Sequence, residues 1–185
     1  YYGHEENLDW DRPRILNVSQ AITFNSSPNV VIAAQHARSL QVTGMDMTQW
    51  VLDQIKMVKQ HTDRPISVRP HPRNRLNLSQ LLPDVTVEQP RPVAGTHDSF
   101  DMRFNYHAVV NHNSGPGVQA AIAGCRPIVH GSSLAAPVGM SMANIEKSYD
   151  INRDQWLVEI CHTEYTLTEI RSGTWLKRIE PALIK

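Results

Sequence analysis

Short apolar runs alternate with polar, turn-forming segments along much of the chain. An apolar run with few polar interruptions is typical of a strand buried on both faces of a sheet. Such runs are Val30–Ala34, Ile66–Val68, Val85–Val87, Ala108–Val110 and the stretch that follows Gly124 and ends at Val129. Between the first two runs, apolar residues at helical spacing (Met47, Trp50, Val51, Ile55, Val58) predict a helix from about Asp46 to His61. The alternation predicts an α/β fold with a mostly parallel, Rossmann-like sheet and helices on both faces.

The remaining segments complete this organisation. We interpret residues 1–13 as an N-terminal arm or linker and residues 14–185 as one Rossmann-like domain. Thr166 and Glu169 have the spacing of a capping box at the start of a helix. The further predicted elements are a first strand at Arg14–Val18, short helices at Leu76–Leu82 and Ser99–Tyr106, and C-terminal helices over 153–162 and 166–179, the latter interrupted at Gly173.

The most informative segment joins the strand at Ala108–Val110 to a helix rich in alanine. Polar residues follow the strand, small residues form the turn, and Gly124 ends the helix. Ligands of open α/β sheets bind at the carboxyl ends of strands, and the positive end of a helix favours an anion there. A phosphate-bearing ligand is therefore expected near His112, Ser114, Gly115 and Gly117.

A second segment carries cationic and hydrogen-bonding side chains at the end of another strand. Arg69, His71 and Arg73 follow Ile66–Val68, and prolines on both sides of His71 restrict the backbone. The guanidinium group matches phosphate oxygens, and imidazole supplies one directed donor or a charge. We expect this strand end to meet the His112–Ser114 strand end across one crevice.

Composition narrows the class of protein. The 185 residues carry a formal net charge of zero, which argues against a mainly electrostatic nucleic-acid binder but leaves room for a local basic cleft. Cys125 and Cys161 lie among apolar residues and are expected to be small buried side chains. The chain contains no zinc-type Cys/His spacing, so we expect no metal. No bilayer-spanning run or signal peptide is visible, so we expect a cytoplasmic protein without a membrane partner.

The order of these motifs resembles the nucleotide-sugar-binding half of glycosyltransferases of the GT-B fold, and most closely bacteriophage proteins of glycosyltransferase type. The resemblance covers roughly residues 30–180. It is carried by Arg69–Pro72, by Gly124–Val129, by a strand ending at Gln35, by Trp50, by Thr62–Ile66, and by the tail segments Gln155–Leu157 and Thr168–Trp175.

This resemblance implies a fold like that of a single GT-B C-terminal domain, binding a nucleotide-activated sugar as co-substrate without a separate cofactor. Transfer would be metal-independent, with preorganised donors stabilising the charge on the departing phosphate. The implied nucleotide- and phosphate-binding residues are Gln35, Arg69, His71, Arg73, His112, Ser114, Gly115, Gly117 and Gln119, with Ser132 and Ser133 near the sugar or nucleoside.

The resemblance leaves several questions open. A complete GT-B enzyme has two such domains, and this chain starts at Tyr1 without Met, so a second domain or partner chain could complete the cleft. Gln119 stands where many relatives have a ribose-binding Glu. The acceptor could be DNA bases, with a basic patch from Arg64, Arg69, Arg73, Arg75, Arg91 and Arg103, or a polysaccharide.

No catalytic residue is assigned. The candidate bases are Glu5, Glu6, Asp9, Asp11, His36, His97, Asp98 and Asp101, for which a surface or capping role is the main alternative. A non-catalytic nucleotide- or sugar-phosphate-binding module is the second hypothesis for the chain. An interaction domain with a vestigial crevice is the third.

Overall fold

The computed structural model describes residues 8–18, 27–74, 76–79, 81–89 and 106–183. Its centre is a five-stranded sheet in which every pair of neighbouring strands is parallel. The strands are β1 (Val30–Ala33), β2 (Ile66–Arg69), β3 (Val85–Val87), β4 (Ala108–Asn111) and β5 (Arg126–Val129), in the order β3-β2-β1-β4-β5. The predicted α/β class, with a parallel Rossmann-like sheet flanked by helices, is confirmed.

Six α-helices are present in the described part of the chain. They are α1 (Asp11–Ile15), α2 (Met47–His61), α3 (Gly115–Ala123), α4 (Asp154–His162), α5 (Leu167–Ser172) and α6 (Thr174–Leu183). Single 3-10 turns occur at Leu40–Val42, Ala136–Val138 and Met142–Asn144. The predicted interruption at Gly173 is confirmed, because this residue ends α5 in the left-handed conformation with φ 73°.

The two faces of the sheet bury different residues because side chains alternate along a strand. On one face, Val30 and Ile32 pack with Val51, Ile55 and Val58 of α2. On the opposite face, a smaller cluster joins Val31, Ala33 and Val109 to Ala120 of α3 and to Cys125. Helices therefore cover both faces of the sheet, as predicted, and hold its strands in one register.

The ends of α2 and α3 follow from local chemistry. The Asp46 side chain accepts the backbone N–H groups of Thr48 and Gln49 at 2.8 and 3.1 Å, which satisfies two donors at the start of α2. Gly124 ends α3 with φ 85°, a conformation that costs glycine little. Both helices thus begin or end where the sequence predicts.

The chain divides into two compact units, one formed by residues 23–151 and the other by residues 1–22 together with 152–185. The first unit contains the whole sheet. In the second unit, the fully buried Arg12 of α1 forms an ion pair with Glu169 of α5 at 2.5 Å and donates from Nε to the Cys161 carbonyl at 3.4 Å. Contacts between distant parts of the sequence therefore hold this helical unit together.

Two predicted elements are wrong. Arg14–Val18 does not form a strand, because the chain is helical over Asp11–Ile15 and α1 contacts α4 instead of a sheet. Leu76–Leu82 does not form a helix in its described residues. There the Asn77 side chain accepts the Ser79 backbone N–H at 3.2 Å, a local turn that competes with a helix. The predicted helix at Ser99–Tyr106 lies outside the described residues apart from Tyr106.

The cysteines behave as predicted: Cys125 and Cys161 are both free and buried. Burial raises the pKa of the Cys161 thiol, which keeps it protonated at neutral pH. None of the helices in the described ranges has the length and apolar character needed to cross a membrane.

Candidate functional site

The order in which the chain adds strands to the sheet reverses between β1 and β4. After β1 the chain builds β2 and then β3 on one side, and it returns to the other side of β1 to form β4 and β5. The loops leaving β1 and β4 therefore diverge over opposite faces of the sheet. A crevice opens at the carboxyl edge between two such strands, and this is where open α/β sheets bind their ligands.

Asn111 fixes the geometry of this edge. It is 1% exposed, and its amide nitrogen donates to the Ala33 carbonyl at the end of β1 at 2.8 Å. Its carbonyl oxygen accepts the Ser114 backbone N–H at 2.9 Å, and its amide also donates to the Ser114 hydroxyl at 3.0 Å. One buried side chain thus joins β1, β4 and the residue that precedes α3.

A second polar link spans the same two strand ends. The backbone N–H of Asn113 donates to Oε1 of Gln35 at 3.4 Å, and the Gln35 amide donates to Gln41 at 3.0 Å. Gln35 is only 3% exposed. Its side chain therefore supports the loops around the crevice, while the predicted contact between Gln35 and a ligand stays a prediction.

Four histidines line the carboxyl edge, one after each of the strands β1, β2, β4 and β5. The rings of His36 and His71 meet edge to face with centroids 5.0 Å apart. The rings of His112 and His130 are stacked at 4.6 Å, and Trp50 of α2 contacts His112 edge-on at 6.3 Å. His36 and His71 follow β1 and β2, and His112 and His130 follow β4 and β5, so the two pairs lie on opposite sides of the boundary between β1 and β4.

Four of the segments at this edge carry cationic and donor side chains. The segments 34–39, 70–74, 112–114 and 130–135 contain these four histidines, Arg38 and Arg73, and they contain no aspartate or glutamate. Burial, followed by the neighbouring His130, lowers the pKa of His112. These four segments therefore offer donors and positive charge, whereas Glu88, directly after β3, places a carboxylate on the β2–β3 side of the same edge.

Among the predicted phosphate ligands, Arg69 has a structural partner. Its neighbour in the β1–β2 register is Ala33, which belongs to the cluster on the α3 face, so Arg69 points to that face. There it hydrogen-bonds Tyr106, whose hydroxyl donates to Glu88. Burial, followed by Glu88, raises the pKa of Tyr106. The guanidinium group is thus tied to a tyrosine–carboxylate pair.

The residues at the start of α3 divide into two kinds. Gly115 is exposed, with open space where a Cβ would lie, whereas a Cβ on Gly117 would come within 2.7 Å of Val129 Cγ1. Gly117 therefore serves close packing of α3 on β5. Ser114 precedes the helix with its side chain bonded to Asn111, and Gln119 is exposed one turn further on.

The two serines of the loop after β5 have different roles. Ser132 is exposed, and its hydroxyl receives a hydrogen bond from the Asn113 amide at 3.0 Å and lies 2.8 Å from Nδ1 of His130. Ser133 is 5% exposed, and its hydroxyl accepts the Ala135 backbone N–H at 3.2 Å. Ser132 is the serine available to a ligand, and Ser133 shapes the turn.

The prediction that the strand end before His71 directly meets the strand end before His112 is wrong, because the two strands are not neighbours. β2, which carries Arg69 and leads to His71 and Arg73, is separated from β4 by β1. Residues that follow β1, chiefly Gln35 and His36, therefore stand between the two segments. The sequence does not show this, because adjacency of β1 and β4 depends on the path of the chain after β3.

Several other predicted residues lie away from this edge or outside the described part. Asp9 accepts the backbone N–H groups of Asp11 and Arg12 at 3.0 and 3.2 Å, which is a capping role in the helical unit. Arg64 precedes β2 and is paired with Glu146 at 2.7 Å, so it does not join a basic patch at the carboxyl edge. Glu5, Glu6, Arg75, Arg91, His97, Asp98, Asp101 and Arg103 lie outside the described residues.

Sequence reasoning missed two residues that matter here. These are Asn111 and His130, neither of which belongs to the site residues predicted from the sequence. The available signal was their shared position, directly at the end of a buried strand.

Within the described ranges, no group of three or more His, Cys, Asp or Glu side chains is arranged to hold a metal ion.

Comparison of the chain with protein-family models, with curated proteins and with solved structures found no match.

Proposed function

We propose that the protein binds a nucleotide-activated sugar at the carboxyl edge of its sheet, beside the start of α3, and acts as a glycosyltransferase or as its donor-binding domain. The observation that carries the proposal is the reversal of strand order between β1 and β4. The resemblance to GT-B enzymes suggests the class of ligand, and the strand order supports its location at this edge.

The chemistry of the edge suits a phosphate group. Segments 34–39, 70–74, 112–114 and 130–135 carry four imidazoles and two guanidinium groups, and α3 directs its positive end toward the same edge. A phosphate that leaves a sugar gains negative charge. Because Asn111 and Gln35 fix the loops at this edge, the donors on those loops would stabilise that charge without having to reorganise.

A non-catalytic binding module is the second candidate. The absence of aspartate and glutamate from segments 34–39, 70–74, 112–114 and 130–135 favours it, because a glycosyl acceptor generally needs a base to remove its proton. In this alternative the protein would hold a nucleotide or sugar phosphate without consuming it. A second domain or partner chain could supply the base, and DNA or a polysaccharide could be the acceptor.

Calorimetry with UDP-, GDP-, CMP- and dTDP-sugars tests the proposal. Gly115→Ala is the matched variant, because the added methyl group enters open space at the first position of α3 and leaves the net charge unchanged. We expect one donor to bind the wild-type protein and Gly115→Ala to weaken it about tenfold, equivalent to ~1.4 kcal/mol. Lys56→Ala, on exposed α2 surface, removes a charge elsewhere and should bind normally.

The outcomes separate the candidates. Binding that Lys56→Ala weakens but Gly115→Ala leaves unchanged would indicate non-specific attraction of an anion and would contradict the proposed site. Binding at the site, followed by release of free nucleotide from the bound donor, would support the enzyme. Binding at the site without any turnover, even with acceptors present, would favour the binding module.

A further inference from the structure

The hydroxyl group of Ser132, in the loop after β5, is held by two neighbouring side chains. Its Oγ lies 2.8 Å from Nδ1 of His130 and receives a hydrogen bond from the Asn113 amide at 3.0 Å. The backbone N–H of Ser132 also donates to Nδ1 of His130, at 3.2 Å. A nitrogen of a neutral imidazole that accepts a hydrogen bond carries no hydrogen, so Nδ1 accepts from the hydroxyl as well. The hydroxyl hydrogen of Ser132 is therefore directed at His130.

The orientation of the Asn113 amide agrees with this assignment. Its Oδ1 is buried and has no hydrogen-bond partner among the described residues, while its nitrogen contacts Ser132. Rotating the amide by half a turn would set two acceptors, Oδ1 of Asn113 and Nδ1 of His130, against the single hydrogen of the Ser132 hydroxyl. The observed orientation avoids this competition, so Asn113 donates and Ser132 accepts.

The hydrogen-bonding capacity of Ser132 can then be counted. A serine hydroxyl has one hydrogen and two lone pairs. His130 takes the hydrogen and Asn113 takes one lone pair, which leaves one lone pair for a ligand at an exposed residue. A hydroxyl in this state accepts a hydrogen bond and does not donate one. It therefore does not match the oxygen of an ionised phosphate, which only accepts, but it matches a hydroxyl group that donates.

Asn113 also connects this hydroxyl to the start of α3. It lies two residues before Gly115, the first residue of that helix, and its backbone N–H donates to Gln35 at 3.4 Å. The side chain of Asn113 thus joins Ser132 to the segment that leads into α3, where the phosphate is expected. A nucleotide sugar carries hydroxyl groups on both sides of its phosphate, on the sugar and on the ribose.

We propose that Ser132 is a hydrogen-bond acceptor that recognises one hydroxyl group of the bound ligand, and that His130 and Asn113 hold it in this role. This inference rests on the proposed function and deepens it, because it assigns Ser132 to a neutral hydroxyl of the sugar or the ribose and not to the phosphate.

Calorimetry with the nucleotide-sugar panel tests the protein side of this contact. Ser132→Ala should bind its donor about fivefold more weakly than the wild type, the scale of one neutral hydrogen bond. Ser79→Ala is the matched control, because it also removes one exposed hydroxyl, which donates to Asn77 at 2.7 Å in a turn before β3. It should bind as the wild type does, and neither variant should lower the melting temperature.

Donor analogues test the ligand side and identify the source of the hydroxyl. In each analogue one hydroxyl, of the sugar or of the ribose, is replaced by fluorine, which removes the donated hydrogen. One analogue should bind the wild type about fivefold more weakly than the intact donor. Ser132→Ala should cause no further loss with that analogue, because both changes remove the same hydrogen bond. The ring that carries the fluorine in this analogue is the ring that Ser132 contacts.

Other results would overturn the inference. Unchanged affinity in Ser132→Ala, or an equal loss in that variant with the intact donor and with every fluorinated analogue, would exclude a hydroxyl partner. Side-chain ¹⁵N spectra of the unliganded protein at pH 8 should show the Nε2–H tautomer of His130, and the Nδ1–H tautomer would also contradict the inference. All three results leave donor binding by the wild type intact. Failure of the wild type to bind any nucleotide sugar would instead remove the proposed function, and the inference with it.

Discussion

Asn111 is the residue on which the geometry of the site depends most. It is buried at the end of β4 and satisfies both the Ala33 carbonyl and the Ser114 N–H. Asn111→Ala leaves these two groups without their partner. We expect a loss of about 2–3 kcal/mol in the free energy of unfolding, the scale for buried groups left unsatisfied.

Denaturant unfolding measures this effect, with Asn77→Ala as the control. Asn77 also accepts a backbone N–H, from Ser79 at 3.2 Å, but it lies in an exposed turn. Its replacement should cost well under 1 kcal/mol, as most surface substitutions do. Equal losses in the two variants would contradict the special position assigned to Asn111.

His107 should make stability dependent on pH. Its side chain is buried, Nε2 donates to the Ile145 carbonyl at 2.8 Å, and Nδ1 lies 3.3 Å from Arg126 Nη1. Burial is the main cause of its lowered pKa, and Arg126 and Arg64 lower it further. The ring is therefore neutral in the folded protein at pH 7.

The direction in which pH changes the free energy of unfolding follows from proton linkage. Between the lowered folded pKa of His107 and the unfolded value near 6.5, the unfolded chain binds more protons, so acid favours unfolding. The free energy of unfolding should fall as pH decreases below about 6.5. Denaturant titrations at pH 7.5 and 5 should show a smaller decrease for His107→Gln than for the wild type. The same decrease in both proteins would show that His107 is not responsible.

At the scale of elements, the contact between α3 and β5 leaves no room for an added side-chain atom at position 117. A Cβ at position 117 would approach Val129 Cγ1 to 2.7 Å, whereas one at position 115 would meet open space. Gly117→Ala should cost about 1–3 kcal/mol, the usual range for overpacking. Gly115→Ala should leave the melting temperature unchanged. A larger loss for Gly115→Ala than for Gly117→Ala would contradict this packing.

In the helical unit, Glu169 has two tasks. It accepts the Thr166 backbone N–H at 2.8 Å in the capping box and pairs with buried Arg12. Both contacts, the Thr166 N–H first, lower the pKa of Glu169 to about 2. Its contribution to stability is therefore present above the ordinary carboxyl pKa of 4.5 and is lost as pH falls toward about 2.

Replacing either member of the capping box should separate these tasks. Thr166→Ala removes one cap and should cost about 1 kcal/mol. Glu169→Ala also leaves the Arg12 charge buried without its carboxylate and should cost about 3 kcal/mol. Chemical unfolding at pH 7 measures both, and similar small losses would show that the Arg12–Glu169 pair contributes little.

The elements differ in how far the sequence predicts them. β1, β2, β4 and α3 are defined by local signals, namely apolar runs and the stop at Gly124. α1 is held by Arg12, whose partner Glu169 lies 157 residues away, and a contact at that distance leaves no local signal at Arg14–Val18. The helix predicted at Leu76–Leu82 is replaced by a turn in which Asn77 accepts the Ser79 N–H.

For the whole molecule, the essential fact is the order of the strands. The sequence indicates which segments are strands, and it indicates that His71 and His112 follow two of them. It does not indicate that β1 lies between β2 and β4, nor that His130 would stack on His112. These relations depend on chain paths and ring contacts that no local pattern encodes.

The two edges of the sheet also differ in charge. At the amino edge, Arg64 and Glu146 neutralise each other, which helps lower the pKa of Glu146 to about 2. At the carboxyl edge, segments 34–39, 70–74, 112–114 and 130–135 carry histidine and arginine without a carboxylate, and Glu88 after β3 is bonded to Tyr106. A chain with zero net charge can therefore still present one edge suited to an anion.

The most direct test of the account is an amide ¹H–¹⁵N NMR titration with the nucleotide-sugar panel. The account predicts that the shifts concentrate at the carboxyl edge, at His36, Asn113–Gly117 and His130–Ser132, and leave Arg64 and His107 at the amino edge unchanged. Shifts confined to the amino edge or to the helical unit, or no shifts with any donor, would contradict a phosphate-ligand site between β1 and β4.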